Sequence, residues 1–245
     1  MLTYSERFYR KKTKLEDLVS FHMAVKETDL WISAERDLEK EARDLVFNFR
    51  QQLETYIKIH PEFATTLAPQ ASDPFAPQIV QKMIDATRVA GVGPMAAVAG
   101  AVAESVANGL RRFSEQVIVE NGGDIFLNTR RPATISIFAG PSPLSEKLGL
   151  EISPRQMPLG VCSSSGKVGH SLSLGIADVC CILSPSAALA DGAATALGNR
   201  IKHKKDLETV AGWAGQVDGI IGGVVVVDDR FAAWGDIELV DLSSE

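Results

Sequence analysis

Residues 178–200 read DVCCILSPSAALADGAATALGNR, and this stretch decides the fold. The run over residues 178–183 is short, partly β-branched and followed by Ser-Pro, which predicts a buried strand. The alanine-rich segment over residues 184–200 predicts a helix that starts directly after the strand. A strand therefore leads into a helix that carries an acid, Asp191.

Asp191 and Thr195 lie four residues apart on the predicted helix, so a carboxylate and a hydroxyl share one face. Their neighbours are mostly alanine and glycine, which leave the pair unshielded. Mg²⁺ prefers oxygen ligands of this kind and completes its shell with waters and phosphate oxygens. The alternative is structural: Asp191 interacts with the helix dipole or caps the first turn, and Thr195 bonds a carbonyl one turn back.

The composition is that of a globular protein, with 45% hydrophobic and 23% charged residues in a chain of 245. A net charge of −6 with scattered basic residues predicts that nucleic acid is not a partner. The amino terminus has no apolar core, and no apolar run reaches about 18 residues, so we expect a cytoplasmic protein with no membrane partner. Adjacent Cys180 and Cys181 on a strand have neither disulfide nor metal-ligand spacing, which predicts core thiols.

Hydrophobic periodicity predicts an α+β fold in one domain, 1–245, because helices lie near both ends, strands lie in the middle and the two do not alternate strictly. Two strand-like runs between residues 20 and 34 predict a hairpin within an amino-terminal region, 1–35. Helices are predicted over residues 37–60, 78–90, 94–112 and 207–217. Strands are predicted over residues 116–127 with a glycine turn, 133–138, 159–162 and 219–228, and a last apolar pair ends near residue 242.

The predicted helix over residues 94–112 has an unusual face of small side chains, which leaves its backbone nearly bare. Either a sheet packs tightly on this face or a flat ligand approaches it. The small residues are Ala96, Ala97, Ala99, Gly100, Ala101, Ala103 and Ala107.

Residues 160–167 read GVCSSSGK and are not a P-loop, because five residues separate the glycines and Val168 follows the lysine. The hydroxyls and amides of Ser164, Ser165 and Gly166 could still cradle a phosphate, and the alternative is a polar loop without a ligand.

Two further polar positions lie near glycines. The sequence from Asn121 through Gly122 and Gly123 to Asp124 predicts a turn that leaves a carboxylate at a bend. His170 either orients a carboxylate or lies at the boundary of an apolar stretch.

The order of these motifs resembles that of the ApbE family of FAD:protein FMN transferases. It runs from Gly-Gly-Asp at 122–124 through Ser-Ser-Gly at 164–166 and a histidine to a strand and ADGAATAL at 190–197. The resemblance covers residues 91–200. Within it, VGPMAAVAGA at 92–101 is similar to a small, compact prokaryotic branch of ApbE-like proteins.

The resemblance implies an ApbE-like (T-fold-like) α+β domain whose central antiparallel or mixed sheet is flanked by helices. FAD would lie against the small-residue helix, with Mg²⁺ at its pyrophosphate. Asp191, Thr195 and the backbone of Ala194 would be the metal ligands. The cofactor cleft would be lined by Gly122, Gly123, Asp124, Ser164, Ser165, Gly166 and His170. In the family the metal polarises the phosphoanhydride while a protein threonine attacks the FMN phosphorus and AMP leaves.

The chain departs from the family pattern in two segments. Gly93-Pro94-Met95 stands where the family has Lys-Gly, and residues 170–178 stand where it has His-x-x-Asp-Pro-x-Thr-Gly. Three functions therefore compete. The first is binding of a phosphate-bearing ligand, FAD, with Mg²⁺ and FMN transfer to a protein. The second is a non-transferase helper role in anaerobic sulfur or homocysteine metabolism, and the third is a homo-oligomeric scaffold with the alanine-rich helix as its subunit contact.

Overall fold

The strands form two antiparallel sheets in the computed structural model, which describes residues 17–166 and 175–243. The strands are β1 (Val19–Val25), β2 (Thr28–Ala34), β3 (Val117–Asn121), β4 (Asp124–Asn128), β5 (Ala133–Ser136), β6 (Leu148–Ile152), β7 (Leu159–Ser164), β8 (Val179–Ser184), β9 (Gly222–Val227), β10 (Arg230–Gly235) and β11 (Glu238–Asp241). The larger sheet has the order β1-β2-β3-β4-β7-β8-β9-β10, and the smaller has the order β11-β6-β5. Every described strand pair is antiparallel, so the predicted sheet is antiparallel rather than mixed.

Helices cover one face of the larger sheet. They are α1 (Glu39–Ile59), α2 (Gln78–Ala90), α3 (Val98–Leu110), α4 (Ala187–Arg200) and α5 (Val210–Ala214). Short 3₁₀ turns occur at Pro61–Ala64, Pro94–Ala97, Pro154–Gln156 and Lys204–Thr209. The smaller sheet packs on the opposite face, so the larger sheet is the middle layer.

Strand β8 shows why the middle layer is buried on both sides. Cys180 and Ile182 pack into the core beneath the helices, whereas Cys181 and Leu183 pack towards the smaller sheet. This is the alternation that a strand imposes on successive side chains. The prediction that Cys180 and Cys181 are core thiols is therefore confirmed.

Local patterns predict most element positions. The hairpin near the amino terminus, the helix over residues 37–60 and the helix over residues 78–90 are confirmed as β1–β2, α1 and α2. The prediction of one continuous helix over residues 94–112 is wrong at its start, which is a 3₁₀ turn with Pro94 at its first position.

The predicted helix over residues 207–217 is mostly wrong. A 3₁₀ turn occupies its first part, and α5 is only five residues long. Gly212 and Gly215 lie in this segment, and each glycine lowers helix stability by about 1 kcal/mol relative to alanine. Strand β6 was not predicted, because only five residues of it pair and serine, proline and glycine precede it.

Within residues 17–166 and 175–243, no single helix has the length and apolar character needed to cross a bilayer. Helix α2 and the segment Pro94–Leu110 reach that length and composition only as a pair, and this pair is bent by 103°.

Candidate functional site

Asp191 lies where α4 crosses α3. Its Oδ2 atom accepts a hydrogen bond of 2.9 Å from the backbone amide of Gly100. This amide is in the first turn of α3, where backbone donors have no acceptor within the helix. The crossing requires glycine at position 100, since a Cβ atom there would lie 2.2 Å from the carbonyl oxygen of Ala187. The small-residue face therefore brings a helix amide to the carboxylate.

Asp124 is the first residue of β4, directly after the turn at Gly122 and Gly123. Both glycines have positive φ angles, 70° and 105°, which explains the residue type at this turn. The Oδ1 atom of Asp124 accepts a hydrogen bond of 3.2 Å from the amide of Ser163 on β7. The hairpin β3–β4 thus delivers a second carboxylate towards α4.

Two hydroxyl groups lie beside the carboxylates. Thr195 is one turn beyond Asp191 on α4, and its Oγ1 atom is 3.4 Å from Oγ of Ser164 at the end of β7. Both residues are buried. The face shared by Asp191 and Thr195 therefore meets the serine-rich end of β7.

The two carboxylates are close enough to repel each other. Burial, followed by the charge of Asp191, raises the pKa of Asp124 well above its usual value. Burial raises the pKa of Asp191 to about 7, although the amides of Gly100 and Ala99 oppose the shift. No cationic side chain of the described residues is paired with either group. Two buried like charges destabilise the fold, and a bound cation would remove that cost.

Cys162 lies near both acids and is fully buried. Its Sγ atom is 3.3 Å from the carbonyl oxygen of Ala187, and its thiol is hydrogen-bonded to Asp124. Burial first, then the charges of Asp124 and Asp191, raise the pKa of this thiol well above its usual value. Cys162 is therefore held as a neutral thiol and contributes no charge to the site.

Asn121 fastens the β3–β4 hairpin to the start of α3, because its side-chain amide donates a hydrogen bond of 3.2 Å to the carbonyl of Ala99. The amide of Gly123 donates to Oε1 of Glu120 at 2.7 Å, so it is engaged within the turn. Sequence reasoning treated Asn121 only as a turn residue. The sequence features that could have indicated this contact are a polar side chain directly before two glycines and a predicted helix with small side chains on one face.

The residues of the serine-glycine segment at the end of β7 make different contacts. The amide of Gly166 donates a hydrogen bond of 3.1 Å to the carbonyl of Ala177, so it is used by the backbone. The hydroxyl of Ser164 lies 3.4 Å from that of Thr195. His170 lies outside the described residues. The roles of Ser165, Gly166 and His170 in a cofactor cleft remain predictions.

Ala194 is fully buried in the middle of α4. The helix continues for more than one turn beyond it, so its carbonyl accepts an intrahelical hydrogen bond and has one lone pair left for a metal. Its role as a backbone ligand also remains a prediction.

The small-residue face of α3 is used mainly for packing. Ala101, Ala103 and Ala107 are fully buried, and the helix contacts α4, β3 and β4. Of the small residues on this face, only Ala96 and Ala99, near the start of the segment, are partly exposed. A flat ligand could approach this end alone, and the body of the helix is not available as a subunit contact.

The oxygen-rich donor set fits Mg²⁺ better than a transition metal. The described residues contain no group of three or more His, Cys, Asp or Glu side chains arranged to hold a metal ion. A cation here would depend on the two carboxylates together with hydroxyl, carbonyl, water or ligand oxygens. This mixture is the one that Mg²⁺ uses when it binds with a phosphate-bearing ligand.

Two surface depressions of the described residues, of about 470 and 420 Å³, lie beside α1 and beside β10. Neither contains a predicted site residue. We locate the candidate site at the aspartates instead, because packing alone does not explain two buried carboxylates that pair with no cationic side chain of the described residues.

The fold is similar to that of solved ApbE flavin transferases. The apo crystal structure of the flavinyl transferase ApbE from Pseudomonas stutzeri matches with a TM-score of 0.60 and 14% identity, over 89% of this chain and 93% of that chain. A variant of the flavin transferase ApbE from Vibrio cholerae matches with a TM-score of 0.58 and 15% identity, over 89% and 96%. The fold class is therefore ApbE-like.

Sequence relatives place the chain within this class. A family model described as AbpE bacteria matches residues 10–229. The UPF0280 protein of Methanocella arvoryzae is 38% identical over 229 residues, which is 93% of this chain and 90% of the relative. The UPF0280 protein of Methanosarcina acetivorans is 39% identical over 219 residues, 88% of this chain and 86% of the relative. The chain belongs to the ApbE-like family, and these relatives carry the name UPF0280.

Proposed function

We propose that this protein binds FAD together with Mg²⁺ at Asp124 and Asp191, and that the bound FAD is a donor for FMN transfer. One observation carries the proposal: the fold buries two carboxylates side by side without pairing either to a cationic side chain of the described residues. A divalent cation held by both carboxylates would supply the positive charge that a diphosphate-bearing ligand also requires.

Each residue of the site has a separate task. Asp191 and Asp124 provide negative oxygen ligands, and Thr195 and Ser164 provide neutral ones. The amides of Gly100 and Ala99 hold the carboxylate of Asp191 in place through hydrogen bonds. Because these donors belong to a helix terminus that is itself packed on α4, the ligand geometry is fixed before a cation arrives.

The bound metal would supply charge neutralisation at the diphosphate. The proposed reaction forms a bond between a protein hydroxyl oxygen and the FMN phosphorus, breaks the diphosphate bond, and releases AMP and a proton. No nucleophile is required from this chain, whose contribution is to position FAD and to exclude water. The burial of all four oxygen-bearing side chains supports this task.

FAD binding is tested by titrating the purified protein with FAD in Mg²⁺ or in EDTA, with flavin fluorescence and calorimetry as readouts. We expect binding in Mg²⁺ and a loss of about tenfold or more in EDTA, in Asp191→Asn and in Asp124→Asn. Asp29→Asn is the matched control, since Asp29 is an equally buried aspartate that lies on β2 and pairs with His22. Binding that is unchanged in EDTA, or absent in the wild type, contradicts the proposal.

Chemistry is tested separately from binding by measuring AMP release from FAD by chromatography. AMP release that requires Mg²⁺ and is lost in Asp191→Asn supports transfer or hydrolysis. Tight Mg²⁺-dependent FAD binding without AMP release, even with cell extract as a source of acceptor protein, would leave a flavin-binding protein and exclude the transferase step.

A further inference from the structure

The peptide group between Ala99 and Gly100 connects two side chains of the candidate site. Its amide, on Gly100, donates the hydrogen bond of 2.9 Å to Oδ2 of Asp191. Its carbonyl, on Ala99, accepts the hydrogen bond of 3.2 Å from the side-chain amide of Asn121. A carbonyl oxygen has two lone pairs, so it accepts from Asn121 and within α3 at the same time. Asn121 and Asp191 are therefore linked through one planar, rigid group.

Asn121 also lies next to Asp124 across the β3–β4 hairpin. The two residues are paired in the strand register, and the two-glycine turn joins them. Val119 and Phe126, the pair two residues farther from the turn, pack into the core beneath the helices. Because side chains alternate along a strand, Asn121 and Asp124 face the helices as well. The hairpin therefore places the Asn121 amide beside the Asp124 carboxylate, on the face that α3 covers.

The two sides of the acid pair differ in how closely they are packed. Helix α4 crosses α3 so tightly that a Cβ atom at Gly100 would lie 2.9 Å from Cβ of Asp191, which leaves the Asp191 side no room to move. The hairpin turn has more space, since a Cβ atom at Gly123 would meet nothing within 4 Å. The hydrogen bond from Asn121 fastens this turn to α3. The separation of the two acids therefore depends on the Asn121 side chain.

We propose that Asn121 sets the separation of the Asp124 and Asp191 carboxylates and thereby makes the site selective for Mg²⁺ over Ca²⁺. This role rests on the Mg²⁺ site proposed above. Asn121 is a positioning residue, because it acts on one acid through the hairpin and on the other through a peptide group.

The two cations require different separations of their ligands. Mg²⁺ binds oxygen at about 2.0–2.1 Å in a nearly octahedral shell, whereas Ca²⁺ binds oxygen at about 2.3–2.6 Å in a flexible shell. Two carboxylates that share Ca²⁺ therefore lie up to about 0.8 Å farther apart than two that share Mg²⁺. The hydrogen bond from Asn121 is already 3.2 Å long, and beyond about 3.5 Å it is lost. An intact hydrogen bond therefore favours the smaller ion.

Cation titration of the purified protein tests the selectivity. The protein is titrated with MgCl₂ or with CaCl₂, first alone and then with FAD present, and binding is measured by calorimetry. We expect the wild type to bind Mg²⁺ about tenfold or more tightly than Ca²⁺, and Asn121→Ala to reduce this preference about tenfold, as for other residues that orient metal ligands. The loss should lie in weaker Mg²⁺ binding, because Ca²⁺ tolerates a wider and less regular site.

Asn128→Ala is the matched control. Asn128 lies at the other end of β4, where its side-chain amide donates a hydrogen bond of 2.7 Å to the carbonyl of Glu115. Each variant loses one side-chain hydrogen bond to a backbone carbonyl of the protein. If Asn121 only stabilises the hairpin, both variants lose stability in urea denaturation and keep the cation preference of the wild type. An unchanged preference in Asn121→Ala overturns the proposal.

A second variant covers the case in which Asn121→Ala does not fold. Asn121→Ser keeps a polar side chain, but its hydroxyl lies one bond closer to the backbone and does not reach the carbonyl of Ala99. It should show the same loss of preference, and a wild-type preference in Asn121→Ser contradicts the proposed role.

The selectivity and the proposed function fail in different ways. A wild type that binds FAD with Mg²⁺ but binds Mg²⁺ and Ca²⁺ equally well overturns the selectivity and leaves the proposed function standing. A wild type that binds neither cation, with or without FAD, contradicts the metal site itself and the role of Asn121 with it.

Discussion

Glu104 and Asp191 are two carboxylates in the same contact between α3 and α4, and both are 8% exposed. Each accepts hydrogen bonds from the start of the other helix. Glu104 accepts from the hydroxyl of Ser186 at 3.2 Å and from the amide of Ala188 at 3.4 Å, and Asp191 accepts from the amide of Gly100 at 2.9 Å.

The two carboxylates differ in their charged neighbours. Nζ of Lys82 lies 2.6 Å from Oε1 of Glu104, so this acid has a counter-ion. The charged neighbour of Asp191 is another acid, Asp124. Glu104 forms an ion pair with Lys82, whereas no cationic side chain of residues 17–166 and 175–243 pairs with Asp191 or Asp124. Functional sites are where such destabilising arrangements persist.

Gly100→Ala should have the largest effect, because it breaks the helix crossing on which both carboxylates depend. The new Cβ atom would lie 2.2 Å from the carbonyl oxygen of Ala187 and 2.9 Å from Cβ of Asp191, so backbone must move. We expect a loss of about 4 kcal/mol or more in the free energy of unfolding, measured by urea denaturation. A loss below about 1 kcal/mol would mean that the two helices can separate freely at this point.

The free energy of unfolding should depend on pH because Asp191 is buried and pairs with no cationic side chain of the described residues. Its folded pKa of about 7 lies above the ordinary value of 3.8, so between these values the folded state binds more protons than the unfolded state. The stability contribution is thus complete below about pH 4 and is lost as pH rises through 7, by up to about 4 kcal/mol. Urea denaturation from pH 4 to 8, with and without Mg²⁺, measures this slope.

Two substitutions in α4 distinguish the effect of the Asp191 charge from the effect of the Thr195 hydroxyl. Asp191→Asn should flatten the slope, be more stable than the wild type at pH 8 and gain no stability from Mg²⁺. Thr195→Val removes a hydroxyl but no titrating group, so it should keep the slope and reduce only the Mg²⁺ gain. A wild type whose stability does not fall between pH 4 and 7 would contradict the assignment.

Glu104→Ala tests the balanced carboxylate. The change leaves Lys82 without its partner and the start of α4 without two hydrogen bonds. We expect a loss of about 1–3 kcal/mol in the free energy of unfolding, together with an unchanged stability gain from Mg²⁺. Loss of the Mg²⁺ response in this variant would show that both carboxylates serve the cation, and the contrast between them would then be wrong.

Local features of the chain were predictable from sequence, and long-range pairings were not. The order of β8 and α4, the shared face of Asp191 and Thr195 and the bounds of α2 all follow from apolar periodicity and from glycine and proline positions. Gly100 lies 91 residues before Asp191. No local sequence pattern indicates that the amide of Gly100 donates a hydrogen bond to the carboxylate of Asp191. The small side chains of the predicted helix over residues 94–112 indicated only that some other group packs closely against its backbone.

The acid pair illustrates the same limit. The resemblance to the ApbE family predicted Asp124 in the cofactor cleft, and the helical spacing of Asp191 and Thr195 favoured a metal site at Asp191. Their mutual repulsion depends on β4 lying beside β7 and on α4 packing above both, which is a property of the topology. The prediction of a metal site named Asp191 without Asp124, because spacing along the chain cannot report proximity between a hairpin and a helix.

Gly123→Ala should have the smallest effect. It tests whether the position of Asp124 depends on the backbone conformation of the β3–β4 turn. A Cβ atom at this position would meet nothing within 4 Å, so only the φ of +105° opposes the change. We expect a loss of about 1 kcal/mol in the free energy of unfolding. Gly212→Ala is the control, since its Cβ atom also meets nothing and its position in α5 favours alanine by up to about 1 kcal/mol. If Gly123→Ala weakens the Mg²⁺ response while the fold stays stable, the hairpin sets the distance between the two acids. If stability falls and the Mg²⁺ response is unchanged, Asp191 alone governs the cation.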